Sequence, residues 1–208
     1  MRKPKSLQAL EELGRVQLSR SFFMRNFLYS EVANFYGRSN MPEDPDLAIA
    51  AGRKLCQKLL QPLHDTFGAV EIRSGYRSPT VNKFCAEHGH NCSPNEGNYA
   101  RHIWDRRDGQ GNMGAVTSVV LPWYLPRYAK TGDWRPLAWW IHDHLPYSEL
   151  QFFRKLAAFN IGWRENPKRT IYGHTAPRGF LTKPGMANHE ASHGKFYRGF
   201  PRLRRDTR

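Results

Sequence analysis

Residues 68–82 read Gly-Ala-Val-Glu-Ile-Arg-Ser-Gly-Tyr-Arg-Ser-Pro-Thr-Val-Asn, and the architecture is read outward from them. The stretch 69–73 reads as a short strand, its apolar and β-branched residues bounded by turn formers. Ser74-Gly75-Tyr76-Arg77-Ser78-Pro79 is a turn, and a helix follows over 81–88. Upstream, Leu47, Ala51, Leu55, Leu59 and Leu63 recur every four residues, with Ala48, Leu60 and Phe67 widening the stripe. That spacing places them on one face of a helix. Asp44 is its expected N-cap, Pro45 sits at the first helical position where a missing N–H costs nothing, and Gly68 ends it.

Downstream, 116–121 is β-branched and apolar, a buried strand stopped by Pro122. Leu137, Trp140, Ile141 and His144 line one face of a helix starting near Asp133, and 150–153 and 159–163 read as two further strands. Residues 89–114 are rich in Gly, Asn and Asp and form an expected long loop, a length that is usually functional or disordered. The fold class is α+β: a small, mainly antiparallel sheet with packed helices. Residues 1–36, with helical spacing at Leu7, Leu10 and Leu13 and an aromatic cluster beyond, read as an N-terminal docking arm. Residues 37–166 form the core, and 167–208 a loop-rich extension ending in a basic tail.

Composition narrows the function classes. The chain has 208 residues, enough for one domain with a real core, and 39% hydrophobic content excludes a mainly disordered chain. No apolar run is long enough to span a bilayer. Met1-Arg2-Lys3-Pro4-Lys5 starts like a secretory n-region, but Gln8, Glu11 and Glu12 interrupt any apolar segment. Cytoplasmic synthesis without a signal peptide is expected, with a phage particle, or the cell wall after lysis, as further destinations. The formal net charge of +14 favours polyanionic partners. Non-specific nucleic-acid binding is therefore one expectation, without a helix-turn-helix, zinc-finger or RNA-recognition signature beside it. Three cysteines, an odd number, argue against a disulfide scaffold and fit a reducing compartment. Cys85, His88, His90 and Cys92 are a dense set of potential zinc ligands, although so short a segment rarely wraps a tetrahedron.

The order of parts resembles the bacterial and phage zinc D-Ala-D-Ala carboxypeptidase family, which shares its fold with the signalling domain of hedgehog proteins. The resemblance runs over roughly residues 20–165, and Ser74-Gly75-Tyr76-Arg77-Ser78-Pro79 with Asn82 carries it most specifically. It implies a substrate groove in which Arg77 grips a terminal carboxylate, with Ser74 and Tyr76 beside it. A planar guanidinium suits bidentate recognition of a carboxylate.

The family motif Ser-x-His-x-x-Gly-x-Ala-x-Asp is matched in part. Ala100-Arg101-His102 stands for its opening, so His102 is the implied first zinc ligand. An insertion, 105–113, then separates it from Gly114-Ala115-Val116-Thr117-Ser118, where Ser118 occupies the aspartate position. The later histidine is replaced by Asn160 or Arg164, depending on register. A serine hydroxyl, an amide or a guanidinium is a poor substitute for an anionic oxygen or an imidazole.

The expectation for the cofactor is zinc absent, with a rebuilt site as the alternative. Asp105 and Asp108 would then join His102, while Glu149 or Glu165 would act as general base. His174, His189 and His193 are further candidates, the last two spaced i, i+4. His142-Asp143-His144 falls on a helix whose adjacent positions point apart, and reads as packing and surface residues.

The functional expectation is a degenerate DD-peptidase-like domain that binds peptidoglycan peptides or acidic phage structural proteins. The alternative is an active zinc metallopeptidase cutting peptidoglycan peptides with a rearranged ligand set.

Overall fold

The computed structural model describes residues 4, 6–90 and 92–204. The chain enters through α1 (Leu7–Arg15), α2 (Arg25–Leu28) and α3 (Glu31–Phe35). Next comes a long helix in two parts, α4 (Pro45–Leu55) and α5 (Gln61–Phe67), joined by a π-helical turn over Cys56–Leu60. Pro62 has no N–H to give to a regular helix, and the widened turn lies immediately before it. Asp44 caps α4 as its sequence implies, accepting from the Leu47 amide at 3.0 Å, and Gly68 ends α5 at φ +83.

Strand β1 (Glu71–Ser74) leads through the turn into α6 (Pro79–Glu87), capped by Ser78, and then α7 (Asn95–Asn98). Strand β2 (Gly114–Val120), helices α8 (Leu125–Thr131) and α9 (Arg135–His144), and strands β3 (Glu149–Phe152) and β4 (Phe159–Arg164) follow. The α+β expectation holds: the six-stranded sheet has the order β1-β2-β4-β3, then β5 (Thr170–Gly173) and β6 (Gly179–Thr182). Its pairings are antiparallel except β3 with β5.

The extension after Pro167 is thus not all loop. Its strands alternate weakly and are only four residues each, too short to carry a readable period. Ile171 nevertheless pairs with Leu150 and joins the same apolar cluster that begins at Leu13. The arm also contributes to that cluster through Leu18, Phe22, Met24 and Phe27, while Phe35 stays 82% exposed. Among the described residues, no helix is long and apolar enough to cross a membrane.

Alternation gives the sheet two unlike faces. Ala115, Val119, Leu150, Phe152, Phe159, Ile161 and Ile171 belong to the apolar cluster shared with α4, α5 and α9. The opposite positions carry Ser118 on β2, Asn160 and Arg164 on β4, and Glu149 and Gln151 on β3. Cross-strand partners share a face, and these polar residues therefore form one surface.

Candidate functional site

The polar surface is built from pairing register. Ser118 lies opposite Ser74 on one side and Asn160 on the other, and Asn160 lies opposite Gln151. The Asn160 amide donates to Gln151 Oε1 at 3.2 Å. Three neutral side chains thus cross the middle of β2, β4 and β3. Register resolves which residue faces Ser118: it is Asn160, while Arg164 sits at the far end of the strand opposite Gly114. Neither Ser118 nor Asn160 supplies the anionic oxygen or imidazole that a zinc ion needs.

At the near end, a cleft of about 580 Å³ opens beside Ser74 and Ser118, with Arg73, Arg154 and Lys155 against the single acid Glu31. The connection that carries Arg154 and Lys155 continues into Leu156 and Ala157, both at positive φ (58 and 46) without being glycine. Backbone held in that region costs of order 1–3 kcal/mol per residue and persists where surrounding packing enforces it.

At the far end, Arg101 donates from Nε to Glu149 Oε1 at 2.6 Å, and Arg164 pairs with Asp108 at 3.1 Å. Gly162 makes room for the first pair, because a Cβ there would stand 2.6 Å from Val116 Cγ2 and 3.2 Å from Glu149 Cγ. The carboxylate named from sequence as a candidate base is therefore held by a guanidinium. Glu165 accepts from the Met113 amide at 2.7 Å and from Arg107, which ties down the insertion instead of facing the cleft.

The implied metal residues are placed separately. His102 is buried, and its Nδ1 bonds to the Gly75 carbonyl at 3.0 Å. Burial, and then the positive charge of Arg77, holds the ring well below the usual histidine range. Asp105 accepts from the Glu43 amide at 2.8 Å and from that of Asp44, so it fastens the segment entering α4. Burial raises its pKa. Asp108 closes its own loop, accepting from the Gln110 and Asn112 amides. Three ligands around a cation are not assembled here, and the zinc of the resembling family does not fit these residues.

Of the implied substrate residues, Tyr76 is wholly buried and packs edge-on against Trp104, 6.2 Å between centroids, which leaves it no ligand to touch. Arg77 is different. Among the described residues, its Nε is buried without a hydrogen-bond partner, and Nη1 points at the sulfurs of Cys85 and Cys92. Burial, and then the charge of Arg101, brings its pKa down to about 10; no carboxylate among the described residues offsets either.

Those sulfurs correct the reading of the cysteines. Cys85 and Cys92 form a disulfide, Cys56 is free and buried, and His88 is stacked on Phe84 instead of binding metal. An odd count excludes full pairing of cysteines, but not one bridge with one thiol left over.

A different group does converge. Among the described residues, His142, Asp143 and His193 bring ligand atoms within 4.8 Å of one another and could hold a metal ion. Helical geometry alone sends the adjacent residues of α9 apart, and the i, i+4 spacing of His189 and His193 implies a helix for that pair. Residues 183–192 form turns and bends, the His189 ring nitrogen bonds to Thr182 Oγ1, and it is the His193 ring that reaches the Asp143 carboxylate on α9. Compared with family models, curated proteins and solved structures, the chain matches none.

Proposed function

We propose that this chain is a DD-peptidase-like domain without the catalytic metal, which binds the free carboxylate end of a peptidoglycan-type peptide along the polar face of its sheet. What carries the reading is Arg77: a half-buried guanidinium whose Nε is shut away from water and that has no anion among the described residues is costly unless a ligand supplies one. A bidentate carboxylate fits that need. The cationic cleft three residues upstream, at Ser74, would hold further acidic or polar groups of the peptide.

Nothing in the proposed site activates water. At the positions where the resemblance implies metal ligands, this chain carries Ser118 and Asn160, which pair across β2 and β4, and Glu149 is engaged by Arg101. Binding without cleavage is the consequence. The charge of +14 also favours an acidic protein neighbour, such as a component of a phage particle, over free solution.

The test is calorimetric titration of the full chain with a wall peptide ending in D-Ala-D-Ala and with its C-terminal amide. The free acid should bind, and the amide should bind at least about tenfold more weakly, the loss of roughly one charge-assisted hydrogen bond. Zinc-dependent hydrolysis that disappears in His102→Gln would refute the non-catalytic reading. Equal affinity for acid and amide would refute the role of the carboxylate.

A further inference from the structure

We propose that His142, Asp143 and His193 form a zinc site that fastens the C-terminal extension to α9. The site is separate from the polar face: two ligands stand at the end of a helix that packs on the sheet's apolar side, and the third comes from residues 183–204, beyond the last strand.

Convergence alone would be weak, but the far side of each imidazole is already arranged. His142 Nε2 bonds to the His189 carbonyl at 2.9 Å, and His193 Nε2 to the Asn188 carbonyl at 2.8 Å. A carbonyl only accepts, so both rings carry hydrogen on Nε2 and keep Nδ1 for another partner. That is how metal-ligating histidines are normally supported, with the second N–H held by a backbone carbonyl or carboxylate. The Nδ1 atoms meet polar partners that an ion can replace. His142 Nδ1 takes the Tyr147 hydroxyl at 2.6 Å, and His193 Nδ1 faces Asp143 Oδ1 at 2.7 Å. The other Asp143 oxygen accepts from the Tyr197 hydroxyl at 2.7 Å, which orients the carboxylate.

Packing fixes the rings further. Trp139 stacks on His193 with 3.8 Å between centroids and planes 4° apart. His142 and His193 are both almost fully buried, at 6% and 2% exposure. A cleft of about 440 Å³ opens on His142 and Asp143, leaving room for a water or an exchangeable ligand in a fourth position.

Two imidazoles and one carboxylate suit zinc better than calcium or magnesium, which want oxygen ligands in larger number. Arg169, whose guanidinium donates to the His142 carbonyl at 2.8 Å, is a fixed positive charge nearby. It weakens the binding of every divalent cation to a similar degree. Binding would need no electron transfer: the Nδ1 lone pairs turn from Tyr147 and Asp143 to the ion, any proton shared between His193 and Asp143 goes to solvent, and the Nε2 hydrogens stay on their carbonyls.

The experiment uses the full chain, stripped with chelator and titrated with zinc chloride alone, alongside His193→Gln, Asp143→Asn and His102→Gln. Far-UV circular dichroism of each variant establishes that it is folded. The wild type and His102→Gln should take up one zinc per chain with a rise in Tm, as ligand binding to the native state requires. Loss of outer-sphere support alone costs metalloproteins roughly 10–100-fold, so loss of a ligand in His193→Gln or Asp143→Asn should cost at least that. Cobalt in place of zinc should give the intense visible bands of a tetrahedral site. No uptake by the wild type, unchanged affinity in both folded variants, or uptake abolished by His102→Gln instead would overturn the proposal.

Discussion

Replacing Arg77 by methionine should make the protein more stable and, at the same time, unable to bind its ligand. The guanidinium is brought to a pKa of about 10, by burial first and by Arg101 second. That is well below the ordinary arginine range, and at about 1.4 kcal/mol per pH unit, keeping the charge inside costs roughly 3 kcal/mol. Because the charged form is the one disfavoured, the cost is fully present at every pH below the folded-state pKa. It fades only as pH rises through about 10, where the folded protein begins to release the proton. Methionine keeps the aliphatic stem out to the position of Nε, carries no charge, and has a flexible thioether that adapts to irregular space. Allowing for the lost contacts of Nη1 with the two sulfurs, a net gain of about 1–2 kcal/mol remains. For a chain of this size that is a rise in Tm of roughly 2–8 °C. Differential scanning calorimetry at pH 7 reads the first effect, and titration with the free-acid wall peptide reads the second. A Tm that falls in Arg77→Met would show that the guanidinium stabilises the fold, and the argument for a ligand-supplied anion would collapse.

Two further outcomes probe the scaffold. In Gly173→Ala, the new Cβ would press into the buried Trp134 ring and stand 2.9 Å from the Pro177 carbonyl oxygen; with a ring on one side and backbone on the other, neither can yield. Urea denaturation should show a loss of about 3 kcal/mol, and a loss under 1 kcal/mol would mean that β5 is not held against Trp134 as described. For acid stability, the folded pKa of His102 lies below its unfolded value, so the unfolded chain binds the proton first. Metal-free stability should therefore fall as pH drops below about 6.5, with a slope from this residue of at most about 1.4 kcal/mol per pH unit. The slope should flatten in His102→Gln, and an identical slope in wild type and variant would remove His102 as its source.

The central elements were legible because they repeat. The four-residue recurrence from Leu47 to Leu63 and the apolar run at 116–120 each fix their own periodicity, and both appear where expected, as α4–α5 and β2. The π turn before Pro62 was not foreseen, since a widened helix keeps its apolar stripe. Strands β5 and β6 were missed for another reason. Each spans only four residues, and each is held mainly by neighbours already in the sheet: Thr170, Ile171, Tyr172 and Gly173 lie opposite Glu149, Leu150, Gln151 and Phe152. Tertiary pairing decides such segments more than propensity does.

The two candidate sites differ in legibility for a related reason. Arg77 lies within a turn whose residues are contiguous, so its type and position can be read from one short string. The ligands of the zinc site cannot, because they unite positions 142 and 143 with 193, fifty residues on. The rule that adjacent helical residues point about 100° apart is correct for α9, yet it describes only a regular helix and side chains of equal reach. His142 lies inward, bonded to Tyr147 and the His189 carbonyl, whereas Asp143 is the acid nearer solvent and meets His193 as that residue folds back over the helix end. The angle between neighbours is closed by the third residue, which arrives from outside the helix and lies between them. A pair discarded on helical geometry becomes a ligand pair only when the extension packs against it, so loss of that packing should disperse the site even with all three side chains intact.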